Sequence, residues 1–287
     1  MSGDNQGAEP GTLYLVATPL GNLLDITLRA LEILRTVDII AAEDTRTTRK
    51  LLSRYEIKVP KLLAYHEHNE VRRAREIVKF LEKGKSVALV SEAGTPGISD
   101  PGAYLVNLAH QKGLSIRPIP GPSAVATALS CAGFELKEGF VFIGFLPAKA
   151  AERRRRLEEL RGERRPMVFY EAPHRLLKTL TDMLNIFGER EAFLAREMTK
   201  VHEEYRRGSL SQFKRRFEKE DPRGEFTLVV KGAEGEPIPS EEDIKARLKA
   251  LLDQGLSTKE ATQRIAQELG LPRSRIYPLA LELLESN

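Results

Sequence analysis

Ser91-Glu92-Ala93-Gly94-Thr95-Pro96-Gly97-Ile98-Ser99-Asp100-Pro101-Gly102, entered from Ser86-Val87-Ala88-Leu89-Val90, is the stretch from which the fold of this 287-residue chain is read. The five-residue run is short, β-branched and almost continuously apolar, as a strand covered on both faces must be. The twelve residues after it are dense in turn formers and read as the exit loop of that strand. Three glycines permit φ > 0 and close backbone approach, while Pro96 and Pro101 stiffen the loop and Pro101 can open the next helix. A loop this long without regular structure of its own is uncommon unless it is functional. In open α/β sheets such loops line the crevice outside the carboxyl ends of the strands, where small ligands bind. The plain alternative is a connector that uses Gly and Pro only to reverse the chain.

Two familiar phosphate loops are excluded. Gly97 to Gly102 has P-loop glycine spacing, but Ala103 and Tyr104 stand where Lys and Ser/Thr are required. The first strand, Leu13-Tyr14-Leu15-Val16-Ala17, leads into Thr18-Pro19-Leu20-Gly21-Asn22 rather than a Gly-x-Gly-x-x-Gly turn, so no dinucleotide unit is supported.

Outward from this centre, strand and helix alternate. Val37 to Ala42 is a second strand whose exit, Glu43-Asp44-Thr45-Arg46, places carboxylates beside the basic helix carrying Arg49 and Lys50. Charge at such a place needs a partner or a task, although Asp44 or Thr45 could simply cap the helix. Ser115-Ile116-Arg117-Pro118-Ile119 is an edge or terminal strand because of its proline, and Pro120-Gly121-Pro122-Ser123 opens an alanine-rich helix. The alternation predicts a mostly parallel sheet. Tyr65-His66-Glu67-His68-Asn69-Glu70 carries two histidines, but neither cysteines nor His-Glu-x-x-His spacing accompany them, so no metal site is expected.

From Phe140 the rhythm changes. Strands are expected at Phe140–Phe145, Met167–Tyr170, Ala192–Ala195 and Phe226–Val230, separated by an arginine-rich helix, a long helix through Phe187 and the polar run Arg196-Glu197-Met198-Thr199-Lys200. Gly232 to Pro239 reads as a linker, followed by helices at 241–252, 258–269 and 273–284. The last two flank a glycine-containing turn, as in a helix-turn-helix, which would put Arg273, Ser274, Arg275 and Tyr277 where such modules reach nucleic acid. A helical cap on the protein or on a dimer fits the same pattern. The domains expected are an N-terminal α/β domain over 1–120, a second α/β domain over 121–235 and a helical tail over 236–287.

Bulk properties bound the function. The chain is 41% hydrophobic, enough for a real core, and its single cysteine, Cys131, leaves no intramolecular disulfide framework, as in a reducing compartment. Met1 to Pro10 has no apolar core of a signal peptide, and no apolar run approaches the roughly 20 residues that span a bilayer, so a cytoplasmic location is expected. A net charge of +4 is only mildly basic. The arginines cluster, in Arg153 to Arg165 and in Arg206 to Arg216, where interspersed glutamates make a solvated helix face as good a reading as a polyanion-binding one.

Taken in order, Leu15 to Asn22, Ala42 to Arg46, His66 to Glu70, Ser91 to Gly102, Pro118 to Ser123, Phe169 to Arg175 and Arg196 to Lys200 resemble the bacterial ribosomal RNA small subunit methyltransferase I family, in the tetrapyrrole methylase superfamily. The resemblance runs from about Thr12 to the end of the chain. It implies a class III methyltransferase of two α/β domains with a small C-terminal helical domain, a homodimer, and S-adenosyl-L-methionine (SAM) as cofactor between the domains. It also implies a reaction, 2′-O-methylation of a decoding-centre cytidine, position 1402 of 16S rRNA in the small ribosomal subunit.

By that resemblance the cofactor contacts fall on Pro19, on Gly94, Thr95, Pro96 and Ile98, on Ser123, on Tyr170 and Glu171, and on Met198 and Thr199. Thr95 stands where related methylases carry an aspartate. A ribose hydroxyl is a weak nucleophile, so a carboxylate in reach of its proton helps, and Asp44 and Asp100 are the candidates. Arg46, Arg49, Lys50, Arg175 and Lys200 are candidate phosphate contacts, joined in the tail by Arg273 and Arg275. A corrinoid or tetrapyrrole methylase would share fold and cofactor but has no evident use for the tail, and a pure nucleic-acid binder has none for the cleft loops.

Overall fold

The computed structural model describes residues 7–58, 61–233, 241–269 and 271–285, and the expected linker lies outside the described residues from 234 onward. The first unit comprises β1 (Thr12–Val16), α1 (Leu28–Thr36), β2 (Ile39–Ala42), α2 (Thr45–Arg54), β3 (Lys61–Ala64), α3 (Glu70–Glu82), β4 (Val87–Val90), α4 (Ala103–Gln111) and β5 (Ser115–Ile119). Its five strands run in the order β3-β2-β4-β1-β5, all parallel. Period-2 alternation divides the strand side chains between two cores. Tyr14, Val16, Ile40 and Val90 pack under α1 and α2, whereas Leu13, Ile39 and Leu89 pack under α3 and α4 with Ile77, Leu81 and Leu105.

This strand order creates a switch point. β1 connects through α1 on one face, while its neighbour β4 connects through α4 on the other. Their exit loops therefore diverge at the carboxyl ends of the strands, the place where open α/β sheets bind ligands.

The second unit comprises α5 (Ala124–Ala132), β6 (Val141–Phe145), α6 (Ala150–Leu160), β7 (Met167–Glu171), α7 (Pro173–Phe187), β8 (Glu191–Arg196), β9 (Glu204–Ser209), α8 (Leu210–Phe217) and β10 (Phe226–Val230). Its sheet runs β6-β7-β10-β8-β9, with β6 and β7 parallel and every other pair antiparallel. The fully buried β10 lies at the centre. The small side chains of α5 lie against one face, beside Val168, Phe193 and Val229, and residues of α6, α7 and α8 cover the other. Three helices, α9 (Glu241–Asp253), α10 (Thr258–Leu269) and α11 (Arg273–Glu285), enclose a core of their own around Ile244, Leu248, Ile265 and Ile276.

Each sheet thus has one strand more than expected. Both additions, β3 and β9, are edge strands, and β9 reads Glu-Tyr-Arg-Arg-Gly-Ser with no apolar alternation because its side chains face solvent and ion pairs. The second strand starts at Ile39 instead of Val37, because Asp38 accepts from the Ser86 backbone N–H at 2.8 Å and pairs with Lys85 at 2.8 Å.

Candidate active site

Four strand exits meet between the two sheets. Thr18 and Gly94 exchange backbone hydrogen bonds of 2.8 and 2.9 Å, tying the β1 and β4 exits together across the switch point. Gly94 has φ +84°, and a Cβ there would lie 3.3 Å from Leu20 Cδ2. Thr95 Oγ1 donates to Pro122 O at 3.1 Å, which fastens the β4 loop to the entry of α5. From the other side, Thr199 Oγ1 accepts from Asn22 N at 3.0 Å. Glu197 and Thr199 hold φ of 49° and 64°, conformations that side-chain-bearing residues avoid. The turn is held by Glu203 Oε2, which accepts from Thr199 N at 2.8 Å, and by Glu225 O, which accepts from Glu197 N at 3.0 Å.

Asp100 lies near the tip of the β4 loop, half-buried. Burial, then the charge of Glu43, pushes its carboxyl up to about 6, and Glu92 adds to the rise while a hydrogen bond from Ser91 opposes it. Tyr170 stands one residue before the end of β7, its hydroxyl pushed up to about 12 by burial and by the Asp100 charge. The ring of Tyr170 meets Phe142 and Phe145 edge-on, at centroid distances of 5.2 and 5.6 Å. Glu43 Oε2 accepts from Glu92 N at 3.1 Å, so three carboxylates gather on this rim, and burial with the charges of Asp44 and Glu43 raises Glu92 as well. A carboxylate that holds a proton near neutrality is suited to proton transfer.

The structure gives several candidate residues other work. Asp44 caps α2, accepting from Arg46 N at 2.7 Å, and is paired with the Arg46 guanidinium at 2.8 Å; these bonds pull its carboxyl down to about 2, too weak a base to take a hydroxyl proton. Glu171 is buried, and its carboxylate is occupied in accepting from Thr179 Oγ1 at 2.5 Å and Ala172 N at 2.9 Å. Arg175 pairs with Glu171 at 3.2 Å and donates to Leu146 O at 2.5 Å, so it braces the β7 exit and is not free for phosphate. Lys200 bridges Glu197 and Glu225 at 3.0 Å each. Ser123 caps α5.

Others lie as a ligand site requires. Pro19, Gly94, Pro96 and Met198 are buried where the loops converge, Thr95 and Thr199 fasten it, and Ile98 is exposed beside Asp100. Arg46, Arg49, Lys50 and Arg54 form an exposed basic face on α2, which carries no acidic residue. Arg273 and Arg275 are exposed at the start of α11. The arginine clusters are largely neutralised locally, as in Arg156–Glu159, Arg207–Glu191 and Arg216–Glu204. Arg153 is buried, with Asp182 Oδ2 2.7 Å from its Nη2. Sequence reasoning misses the aromatic pair Phe142 and Phe145, since an apolar strand gives no sign of which members leave the core.

Residues 12–214 match the family Tetrapyrrole (Corrin/Porphyrin) Methylases, and residues 238–284 match the RsmI C-terminal HTH domain. A Synechocystis sp. protein named ribosomal RNA small subunit methyltransferase I is 48% identical over 276 residues, covering 95% of this chain and 98% of that protein. One of the same name from Thermotoga maritima is 51% identical over 224 residues, covering 78% of this chain and all of that protein. Among solved structures, the methyltransferase CobJ superposes with a TM-score of 0.59 at 19% identity, over 79% of this chain and 96% of that one.

Proposed function

The chain belongs to the tetrapyrrole methylases and, within them, to the ribosomal RNA small subunit methyltransferase I family, and from that premise we propose that it moves the methyl group of SAM to the ribose 2′-hydroxyl of a decoding-centre cytidine, position 1402 of 16S rRNA in the small ribosomal subunit. The 48% identity along 95% of the chain with a relative of that name carries the substrate class. A cytoplasmic location and a homodimer enter this reading from the family alone. Domain limits at 120 and 235 suit it, since α5 lies on the second sheet.

The residues of the cleft fit SAM. Close packing at Gly94, already bonded to Thr18, and at Gly121, where a Cβ would lie 3.0 Å from Ala17 Cβ, leaves no room for a side chain at the loop junction, so backbone alone lines it there. Around it, Pro19, Leu20, Pro96, Tyr170 and Met198 offer apolar and aromatic surface. Gly94 to Ile98, Tyr170, Met198 and Thr199 would hold the cofactor, with Ser123 and Glu171 acting by shaping the walls. When bound, SAM supplies an electrophilic methyl group on a good leaving group.

Asp100 takes the role of base. Its carboxylate accepts the 2′-hydroxyl proton, a contribution on the order of 10²- to 10⁴-fold, while the rigid loops hold the nucleotide in line. The α2 face steers and positions the RNA backbone without reading sequence. The Thermotoga maritima relative of the same name is matched over its full length by 224 residues of this chain, which supports placing catalysis in the two α/β domains; substrate docking by the tail is proposed on the HTH-domain match of residues 238–284. The test is transfer of labelled methyl from SAM to small subunits lacking the modification, with mass spectrometry of the nucleosides. The expected product is 2′-O-methylcytidine; label on a base, or no label, refutes the assignment.

A further inference from the structure

We propose that Phe145 is the platform on which the base of the target nucleotide stacks while its ribose is presented to Asp100, an inference that rests on the RNA reading of the site given above. β6 has an irregularity. Its register against β7 pairs Phe142 with Val168, Gly144 with Phe169 and Phe145 with Tyr170, so one residue is extra between Phe142 and Gly144. In a regular strand positions 142 and 144 share a face, and position 145 points the other way. The bulge turns Phe145 to the side of Phe142, and both rings meet Tyr170. Bulges beside active sites serve to re-aim a side chain in this manner.

The two Phe side chains differ in what covers them. Phe142 is packed with α5 and the second sheet, whereas Phe145 is 56% exposed. A large ring brought to the surface by a bulge, at the end of an edge strand, contributes little to its own core. Two neighbours place it beside the Asp100 loop. Tyr170, the ring it touches, feels the Asp100 charge, and Gly144, its neighbour in sequence, lies against the Asp100 loop, where an added Cβ would come within 3.2 Å of Ser99 Oγ. Gly144 has φ +69°, so glycine both permits the turn and lets the loop approach.

The occupant follows from chemistry. A nucleotide whose 2′-hydroxyl reaches Asp100 has its base attached to the same ribose, and that base must leave its neighbours in the RNA to enter the cleft. An exposed aromatic ring beside the reacting sugar offsets the lost stacking, as aromatic platforms do in single-strand binding proteins. The buried Gly94 and Met198 walls are better suited to the cofactor, which leaves the exposed rim for the substrate.

The experiment measures kcat and KM for small subunits and SAM affinity in Phe145→Ala, Phe145→Leu and Phe145→Trp. Phe145→Ala should lower kcat/KM for subunits about 10- to 100-fold, with SAM affinity within about twofold of wild type, which also shows that the variant is folded. Phe145→Trp should stay near wild type and Phe145→Leu should behave like Phe145→Ala, because stacking needs a π-face. Unchanged kinetics in Phe145→Ala, full recovery in Phe145→Leu, or a parallel loss of SAM affinity would each overturn the platform. Absence of transfer by the wild-type chain would overturn the RNA reading itself, and this inference with it.

Discussion

Replacing Asp100 with Asn separates catalysis from stability in opposite directions. Asp100 sits at about 6, against 3.8 for a free carboxyl, because of burial and the Glu43 charge. Its ionised fraction is then roughly nine-tenths at pH 7 and one-tenth at pH 5, so kcat/KM should rise about tenfold between these values and level off above pH 7. Asp100→Asn should lower activity about 10²- to 10⁴-fold and flatten this limb. The same raised value works against the fold. The protonated carboxyl is the form the folded state favours, so its stabilising contribution is complete below about pH 4 and is lost as pH rises through about 6. At pH 8 the native protein carries that cost, on the order of 2 kcal/mol after allowing for partial solvent access. Asparagine removes it, so Asp100→Asn should melt about 4–8 °C higher at pH 8 and level with wild type at pH 4. Calorimetry at both pH values and methyl transfer across pH 5–8 test this. An Asn variant with more than about a third of wild-type activity, or one that melts lower at pH 8, refutes the assignment of Asp100 as a buried base.

Glu43→Gln removes a charge that raises Asp100, so the half-maximal point of the pH profile should move below 6. Arg153→Ala removes the buried partner of Asp182 and leaves it only the exposed Arg154 at 3.9 Å, so it should cost about 3 kcal/mol, seen as a lower melting temperature with no change in the salt dependence of RNA binding. Alanine at Arg49, Lys50 and Arg54 together should weaken subunit binding and lower its log–log salt slope by about 2, at roughly 0.7 for each phosphate no longer neutralised, while SAM titration stays unchanged. Deleting 236–287 should weaken RNA binding at least about tenfold more than SAM binding; equal RNA affinity in the folded truncation would remove the tail from substrate docking.

What can be read from sequence follows physical locality. The β4 strand and its loop announce themselves because a doubly covered strand must be apolar throughout and its exit must turn sharply. The tail helices are equally plain, their apolar period of 3.6 ending at Gly255 and near Pro272. β3 and β9 stay hidden because an edge strand needs neither a continuous apolar run nor alternation. Individual side-chain roles divide on pairing, which is non-local. Glu171 and Arg175 look free in sequence, yet they bond to each other and to Thr179 and Leu146. Arg153 cannot be told from Arg154 or Arg155 without knowing that Asp182 lies one helix away. Asp44 and Asp100 look alike as strand-exit carboxylates; the Arg46 partner of one, and burial with the Glu43 charge around the other, set them apart.

The position of β10 governs how the polypeptide acquires its shape during synthesis. All five strands of the first sheet have been translated by Ile119, so that half can complete itself while the rest is still being made. The second sheet is assembled in the reverse sense, because its middle strand is the last to arrive. Until Phe226–Val230 emerges, the parallel pair β6-β7 and the hairpin β8-β9 are two fragments, each with an unpaired edge where β10 belongs. A nascent chain stopped anywhere between Ser209 and Phe226 would expose both edges together, which makes this interval the window in which the growing chain most needs a chaperone.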